Sequence, residues 1–307
     1  MKIGLIDVDS FNRSHHSKKY PNLALMKLSA YHKARGDSVE FVNNSSSSYD
    51  LVYKSKVFTF GGDSPIELNA KEIKTGGTGY KDFTTLPDEI EHTCPDYSLY
   101  DVEEAYGFLT RGCIRKCPWC IVPQKEGKLR PHADIAEFLA GRKAAILMDN
   151  NVLASDWGLE QIEKIVKLKI RVDFNQGLDA RLISSDHSIA RLLSQVKWYK
   201  PLRMACDMKS EMGDVEEATR LLREYGTKPK NFFIYVLVKD IPDALERVLF
   251  LKRLGLDPYA QPFRDYENNK EPEKEAMHFR RWVNCKWYFK SCTWEEYRYH
   301  EKKLDKS

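Results

Sequence analysis

Three cysteines, Cys113, Cys117 and Cys120, stand at C-x3-C-x2-C spacing in the stretch Gly112-Cys113-Ile114-Arg115-Lys116-Cys117-Pro118-Trp119-Cys120. Thiolates are the usual ligands of iron–sulfur clusters, and four of them close a cubane completely. Three local cysteines leave one iron without a protein ligand, open to a small molecule. Zinc is the competing occupant. A structural zinc site wants four Cys or His ligands, and His132, downstream of the loop, could be the fourth. Arg115 and Lys116 sit beside the thiols, where a cation favours thiolate over thiol, unless their side chains simply face solvent.

A loop of this kind needs rigid elements to hold it. The apolar run 106–109 feeds directly into it and reads as a strand. After position 100 the chain becomes regular. Apolar strands are expected over 105–109, 144–148, 170–174, 202–205, 232–238 and 258–261, with helical patterns over 134–140, 159–168, 188–196, 215–225 and 243–254. Strands alternating with helices predict either a βα barrel or an open parallel sheet. In βα barrels the active site lies at the carboxyl ends of the strands. The polar residues at those ends form a set: Asp149-Asn150-Asn151, then Asn175-Gln176-Gly177 with Asp179 and Arg181, then Cys206-Asp207 with Lys209, then Lys239-Asp240, then Gln261 and Arg264. Each taken singly reads as a solvated loop residue or a helix cap; their repeated position beside one mouth points to a site.

The cysteine spacing, with the aromatic Trp119 just before the last thiol, resembles that of the radical S-adenosylmethionine enzymes. Ile121-Val122-Pro123, Glu126-Gly127-Lys128 and Arg130-Pro131 look most like the cluster loop of their methylthiotransferase and cobalamin-linked branches. The resemblance implies a partial (β/α)6 barrel over 100–268, a [4Fe–4S] cluster on Cys113, Cys117 and Cys120, and S-adenosylmethionine on the open iron. It implies roles at the strand ends too. Asp149 and Asn150 occupy the place of the family's Gly-Gly-Glu motif, which receives the methionine amino group, although the glycines are missing. Asn175, Gln176 and Arg181 are candidates for the ribose and carboxylate, and Trp119 and Gln261 for the adenine. The implied partners are an unidentified substrate and a reductant such as flavodoxin or ferredoxin. Methylthiotransferases carry a separate cluster domain with three more cysteines before the barrel; only Cys94 stands there in this chain, which weakens sulfur insertion. A nucleic-acid substrate would use Lys125, Lys128 and Arg130, which equally suit the loop's own anionic cluster. The rival from another class is a non-catalytic iron–sulfur or zinc binding module.

Ahead of the loop, residues 1–95 read as a small Rossmann-like domain. A strand is expected over 2–8, a helix from Tyr20-Pro21-Asn22 to Gly36 with Leu23, Leu25, Met26, Leu28 and Tyr31 on its apolar side, and strands over 38–43, 50–52 and 56–60. Strand, helix and strand with short links predict a parallel sheet with a right-handed crossover. Gly61-Gly62 and Gly76-Gly77-Thr78-Gly79 are turns; the second lacks the Lys-Ser/Thr of a phosphate-binding loop. The layout, with Pro95-Asp96-Tyr97 as linker, is similar to the cobalamin-binding domain found ahead of radical barrels. That family's Asp-x-His-x-x-Gly does not occur: Asp7 and Asp9 are followed by Ser10-Phe11-Asn12-Arg13, and His15-His16 fall outside the spacing. The expectation is a degenerate relative that binds no cobalamin. The segment from 269 is expected to be helical, with an aromatic face of Met277, Phe279, Trp282, Val283, Trp287, Tyr288 and Phe289. There Cys285 and Cys292 read as small buried apolar groups rather than a second cluster.

Composition bounds the rest. A chain of 307 residues with 42% hydrophobic and 31% charged side chains suits a soluble globular protein of one or two domains. The net charge of +4, from 49 basic and 45 acidic groups, is too mild to argue for nucleic acid. Seven cysteines, three of them clustered, and an opening Met1-Lys2 that leads straight into a short strand predict a reducing cytoplasm. No apolar run reaches membrane-spanning length.

Overall fold

The computed structural model describes residues 1–11, 20–227, 232–265, 268 and 270–298. It is a mixed α/β protein with parallel sheets and a helical carboxyl-terminal segment. The chain divides into two compact units, Met1–Ile146 and Leu147–Ser307. The division falls inside the strand Ala144–Leu147, beyond the cysteine loop.

In the first unit, β1 (Lys2–Asp7) leads to α1 (Leu23–Ala34), β2 (Ser38–Phe41), β3 (Ser48–Ser55) and β4 (Asn69–Gly76). These strands form one parallel sheet in the order β2-β1-β3-β4. Asn22 starts α1 by accepting a hydrogen bond from the Leu25 amide at 3.2 Å, and Gly36, at φ +83°, follows its end. The helix lays Leu25 and Leu28 on Ile3, Leu5 and Leu51 on one face of the sheet; Ile6, Val8, Val42, Tyr49 and Val52 form a second cluster. Each such buried side chain contributes about 1.5–3 kcal/mol. Gly4 permits the tight centre, because a Cβ there would lie 2.7 Å from Val42 Cγ2. One expected strand is absent: residues 56–60 are irregular, and the fourth strand is β4 instead. Most of β4 is exposed, so it carries no apolar run by which to find it. His15 and His16, with Asn12 and Arg13, lie outside the described residues.

The unit continues through α2 (Asp88–Glu91), β5 (Ala105–Gly107), β6 (Thr110–Arg111), α3 (Val122–Lys125), β7 (Arg130–Pro131), α4 (Ile135–Leu139) and β8 (Ala144–Leu147), with β8 beside β5. Asp134 caps α4 in a reciprocal box with Glu137.

The second unit contains α5 (Asp156–Leu168), β9 (Arg171–Phe174), α6 (Ala180–Ser185), α7 (His187–Ser194), β10 (Lys197–Trp198), β11 (Leu202–Ala205), α8 (Met212–Glu224), β12 (Phe232–Val238), α9 (Ile241–Arg253) and β13 (Asp257–Pro262). β9 and β10 pair in parallel, and β11, β12 and β13 form a parallel three-stranded sheet in that order. A parallel bridge between Leu178 and Met204 follows β9. Asp179, Asp186 and Asp240 cap α6, α7 and α9. Among the described residues the strands form no closed barrel. The tail folds as α10 (Lys274–Asn284) and α11 (Lys286–Ser291), burying Phe279, Trp282, Val283 and Phe289 with Trp294 and Tyr297. Met277 and Trp287, expected on that apolar face, are exposed. No described helix is long and apolar enough to cross a membrane.

Candidate functional site

The cysteine loop is closed at its base by a small antiparallel clasp. Thr110 pairs with Pro131 and Arg111 with Arg130, joining β6 to β7. Gly112 makes the closure possible: its φ is +81°, and a Cβ there would lie 2.3 Å from the Lys128 carbonyl oxygen on the opposite limb. Glu126 ties the two limbs together. Its carboxylate accepts from the Gly112 amide at 3.2 Å and pairs with Arg111 Nε at 3.2 Å. Arg130 donates to the Glu126 carbonyl at 2.6 Å. The Lys125 ammonium is pushed below its ordinary range by burial. Of the three candidate nucleic-acid contacts, Lys125 is half-buried in the loop, Arg130 is exposed but bonded to the Glu126 carbonyl, and Lys128 is exposed.

Above the clasp stand the thiols. None is disulfide-bonded; Cys113 and Cys117 are half-buried and Cys120 is exposed. The Arg115 amide donates to Cys113 Sγ at 3.3 Å, and the Cys120 amide to the Cys117 carbonyl at 3.0 Å. An amide aimed at sulfur is the kind of contact that tunes a metal-bound thiolate. Among the described residues, no group of three or more Cys, His, Asp and Glu is drawn together as a metal shell, the cysteines included. The donor chemistry between Cys113 and Cys120 suits a cubane nonetheless, since that stretch offers three thiols and no carboxylate or imidazole. Trp119, between the last two thiols, is half-buried. His132, the fourth ligand a zinc site would need, pairs through Nε2 with Glu91 at 3.2 Å, and its ring lies 5.1 Å from that of His92, tilted by 40°. Glu91 also pairs with Lys27 at 3.1 Å. Burial would raise the Glu91 carboxyl, but the hydrogen bond to His132 and the Lys27 charge overcome it and hold it down to about 2.

In the second unit the strand-end residues divide by environment. Asp149 and Asn151 are buried, Asn150 and Asn175 half-buried, Gln176 and Gln261 exposed. The Asn175 amide donates to Leu147 O at 2.9 Å and its carbonyl accepts from Tyr235 Oη at 3.2 Å, which fixes the backbone after β9. Arg181 is gathered into a network. Its Nε meets Asp179 Oδ1 at 2.8 Å and its Nη1 meets Glu211 Oε1 at 3.2 Å, while Asn151 donates to Asp179 Oδ2 at 3.2 Å. Glu211 in turn accepts from the amides of Asp207 and Met208 at 2.7 and 3.1 Å. The structure therefore brings Asn151, Asp179 and Arg181 together with the loop after β11.

Three residues of this region carry no period or motif by which to single them out. Glu211 lies past the strand end that sequence patterns mark. Arg247, 1% exposed, donates from α9 to the carbonyls of Cys206 at 2.7 Å and Leu237 at 2.9 Å, and pairs with Asp243. Arg203 forms a buried ion pair with Asp173. An Arg or Asp on an amphipathic pattern reads as surface, and only tertiary packing shows otherwise. Beside Arg247, burial pushes the Cys206 thiol up to about 12 and the Asp207 carboxyl up to about 6. A carboxyl displaced by burial at the carboxyl end of a parallel strand has the properties of a proton donor or acceptor near neutral pH.

No protein-family model matches the chain, and no curated protein matches it.

Proposed function

We propose that this protein is a radical S-adenosylmethionine enzyme, with Cys113, Cys117 and Cys120 holding a [4Fe–4S] cluster. The observation that carries the reading is the cysteine loop itself: three thiols at C-x3-C-x2-C spacing, close after β5, on a loop clasped at its base and with an amide directed at Cys113 Sγ. A cubane held there would supply one electron, drawn from an external reductant, to break the C5′–S bond of S-adenosylmethionine and release methionine and a 5′-deoxyadenosyl radical. The chain's own residues do the rest. Gly112, Glu126 and Arg111 anchor the loop. Arg115 and Lys116 offset part of the cluster's negative charge. Asp149 and Asn150 receive the methionine ammonium, Asn175, Gln176 and Arg181 the ribose and carboxylate, and Trp119 and Gln261 the adenine.

The alternation of strands and helices from β5 to β13 supports the finer architectural reading, a partial (β/α)6 barrel whose first strand precedes the cluster loop. This reading places the protein in a reducing cytoplasm, with a flavodoxin or ferredoxin as electron donor and without cobalamin, since no Asp-x-His-x-x-Gly segment follows β1. Anaerobic reconstitution with iron and sulfide tests it. The expected result is about four irons and four sulfides per chain, an electron paramagnetic resonance signal that changes when S-adenosylmethionine is added, and 5′-deoxyadenosine on reduction. Stoichiometric zinc in a colourless protein would replace it with the binding-module reading. So would a Cys117→Ala variant that keeps a full cluster.

A further inference from the structure

The first unit contains a cleft of about 500 Å³ that the cysteine loop does not line. It opens at the carboxyl ends of β1 and β2, bounded by Leu5 to Asp7 from β1, Phe41 at the end of β2 with Val42 and Asn43 after it, Ser10 and Phe11 after β1, and Ser98 to Asp101. In open parallel sheets ligands bind outside the carboxyl ends of the strands. The order β2-β1-β3-β4 reverses between β1 and β3, and this cleft lies on the other side of β1, beside β2.

The lining decides what would bind. Three aromatic rings, Phe11, Phe41 and Tyr100, face the space, and Phe41 and Tyr100 meet edge to face at 5.3 Å. Two carboxylates line it as well. Asp7 is 4% exposed and accepts from Tyr100 Oη at 3.0 Å, which holds the ring in place; Asp101 is on the rim. Among the described lining residues there is no lysine or arginine. The turn after β1 is Val8-Asp9-Ser10, and Asp9 spends its carboxylate on the amides of Val57 and Phe58 at 2.6 and 3.3 Å. A phosphate site at this position uses glycines and open amides, whereas here it would meet carboxylates. The volume falls in the range of small-molecule sites. Aromatic walls suit a planar ring, and carboxylate and amide acceptors suit N–H and O–H donors.

We propose that this cleft binds a phosphate-free nucleoside: a planar base between the rings, with its ring or sugar donors on Asp7, Asn43 and Asp101. The inference does not use the cluster reading, and its test separates the two. Adenosine and adenosine monophosphate are the probes, titrated calorimetrically into the full chain and into three variants. Adenosine is expected to bind at least tenfold more tightly than the monophosphate. Asn43→Trp, at an exposed rim position, should weaken adenosine at least tenfold by filling the opening. Asp101→Asn, which tolerates the φ of +51° at that residue, should narrow the gap between the two probes. Cys113→Ser should leave adenosine binding unchanged. Absence of adenosine binding at millimolar concentration, a monophosphate that binds as well as adenosine, or insensitivity to both rim substitutions would overturn the proposal. Loss of binding in Cys113→Ser would reassign the nucleoside to the cluster loop.

Discussion

Replacing Asp207 by asparagine should stabilise the protein at neutral pH and make no difference in acid. Burial is the largest influence and raises the carboxyl, and the charge of Glu211 adds to the rise; the hydrogen bond from the Leu237 amide at 2.8 Å and the charges of Arg247 and Arg181 only partly offset it. The folded state thus holds the proton up to about pH 6, whereas the unfolded chain releases it near 3.8. With the folded value raised, the contribution is fully present below the unfolded value and is lost as pH climbs through the folded one. A gap of about two units at 1.36 kcal/mol each sets a ceiling near 3 kcal/mol. Asp207 keeps some exposure, so about 1–3 kcal/mol is expected. Asparagine keeps an oxygen for the Leu237 amide and has no charge to bury. Urea unfolding at pH 4 and pH 8, on both proteins, is the assay. The variant should gain about 1–3 kcal/mol at pH 8 and match the parent near pH 4. An asparagine variant less stable than the parent at pH 8 would refute the reasoning, because the ionised carboxylate would then be a stabilising group. A gain in stability with loss of turnover would mark Asp207 as a group kept for chemistry at a cost in stability.

Gly112→Ala should cost about 2 kcal/mol or more, from its left-handed backbone and the overlap with Lys128 O, and should lower iron loading after reconstitution. Full loading with unchanged stability would show that the clasp tolerates a side chain. Arg247→Met should destabilise by about 3 kcal/mol or more in urea, because two buried carbonyls and Asp243 lose their donor. A midpoint within error of the parent's would remove Arg247 from the second unit's framework. Glu91→Gln should lose about 2–3 kcal/mol at pH 7. Its folded carboxyl is lowered to about 2, so its contribution is present above the unfolded value and fades as pH falls through the folded one. The parent and variant should therefore converge near pH 2, and a constant difference across pH would contradict the ion-pair origin.

All six strands expected after position 100 occur, from β5 to β13, within a few residues at their ends. Uninterrupted apolar runs such as Phe232 to Val238 announce strands buried by parallel neighbours, and such runs survive any change of partner. β4 has no such run: its exposed Lys71, Glu72 and Lys74 give it the pattern of a loop. The polar residues after each strand were legible as positions and not as partners. Asp179 and Asp240 show why. Both stand after strand ends, and both cap helices. Arg181 contacts Glu211, thirty positions away in the chain, and no local pattern encodes such a distance. The cysteine spacing was legible outright because it is a local motif. The clasp that holds it was not, since two paired residues on either limb leave no period to read.

That clasp has a consequence for how the protein would respond to the proposed cluster. Small zinc domains couple folding to binding, so that the ion contributes the free energy that closes the chain. Here the span from Arg111 to Arg130 is already joined at its ends by backbone pairing, a glycine crossing and the Glu126 ion pair. The entropy of closing that span is charged to the fold. Metal uptake then has only the short path from Cys113 to Cys120 left to order. Oxidative loss of a cluster would accordingly be a local event, leaving the scaffold able to be rebuilt rather than refolded.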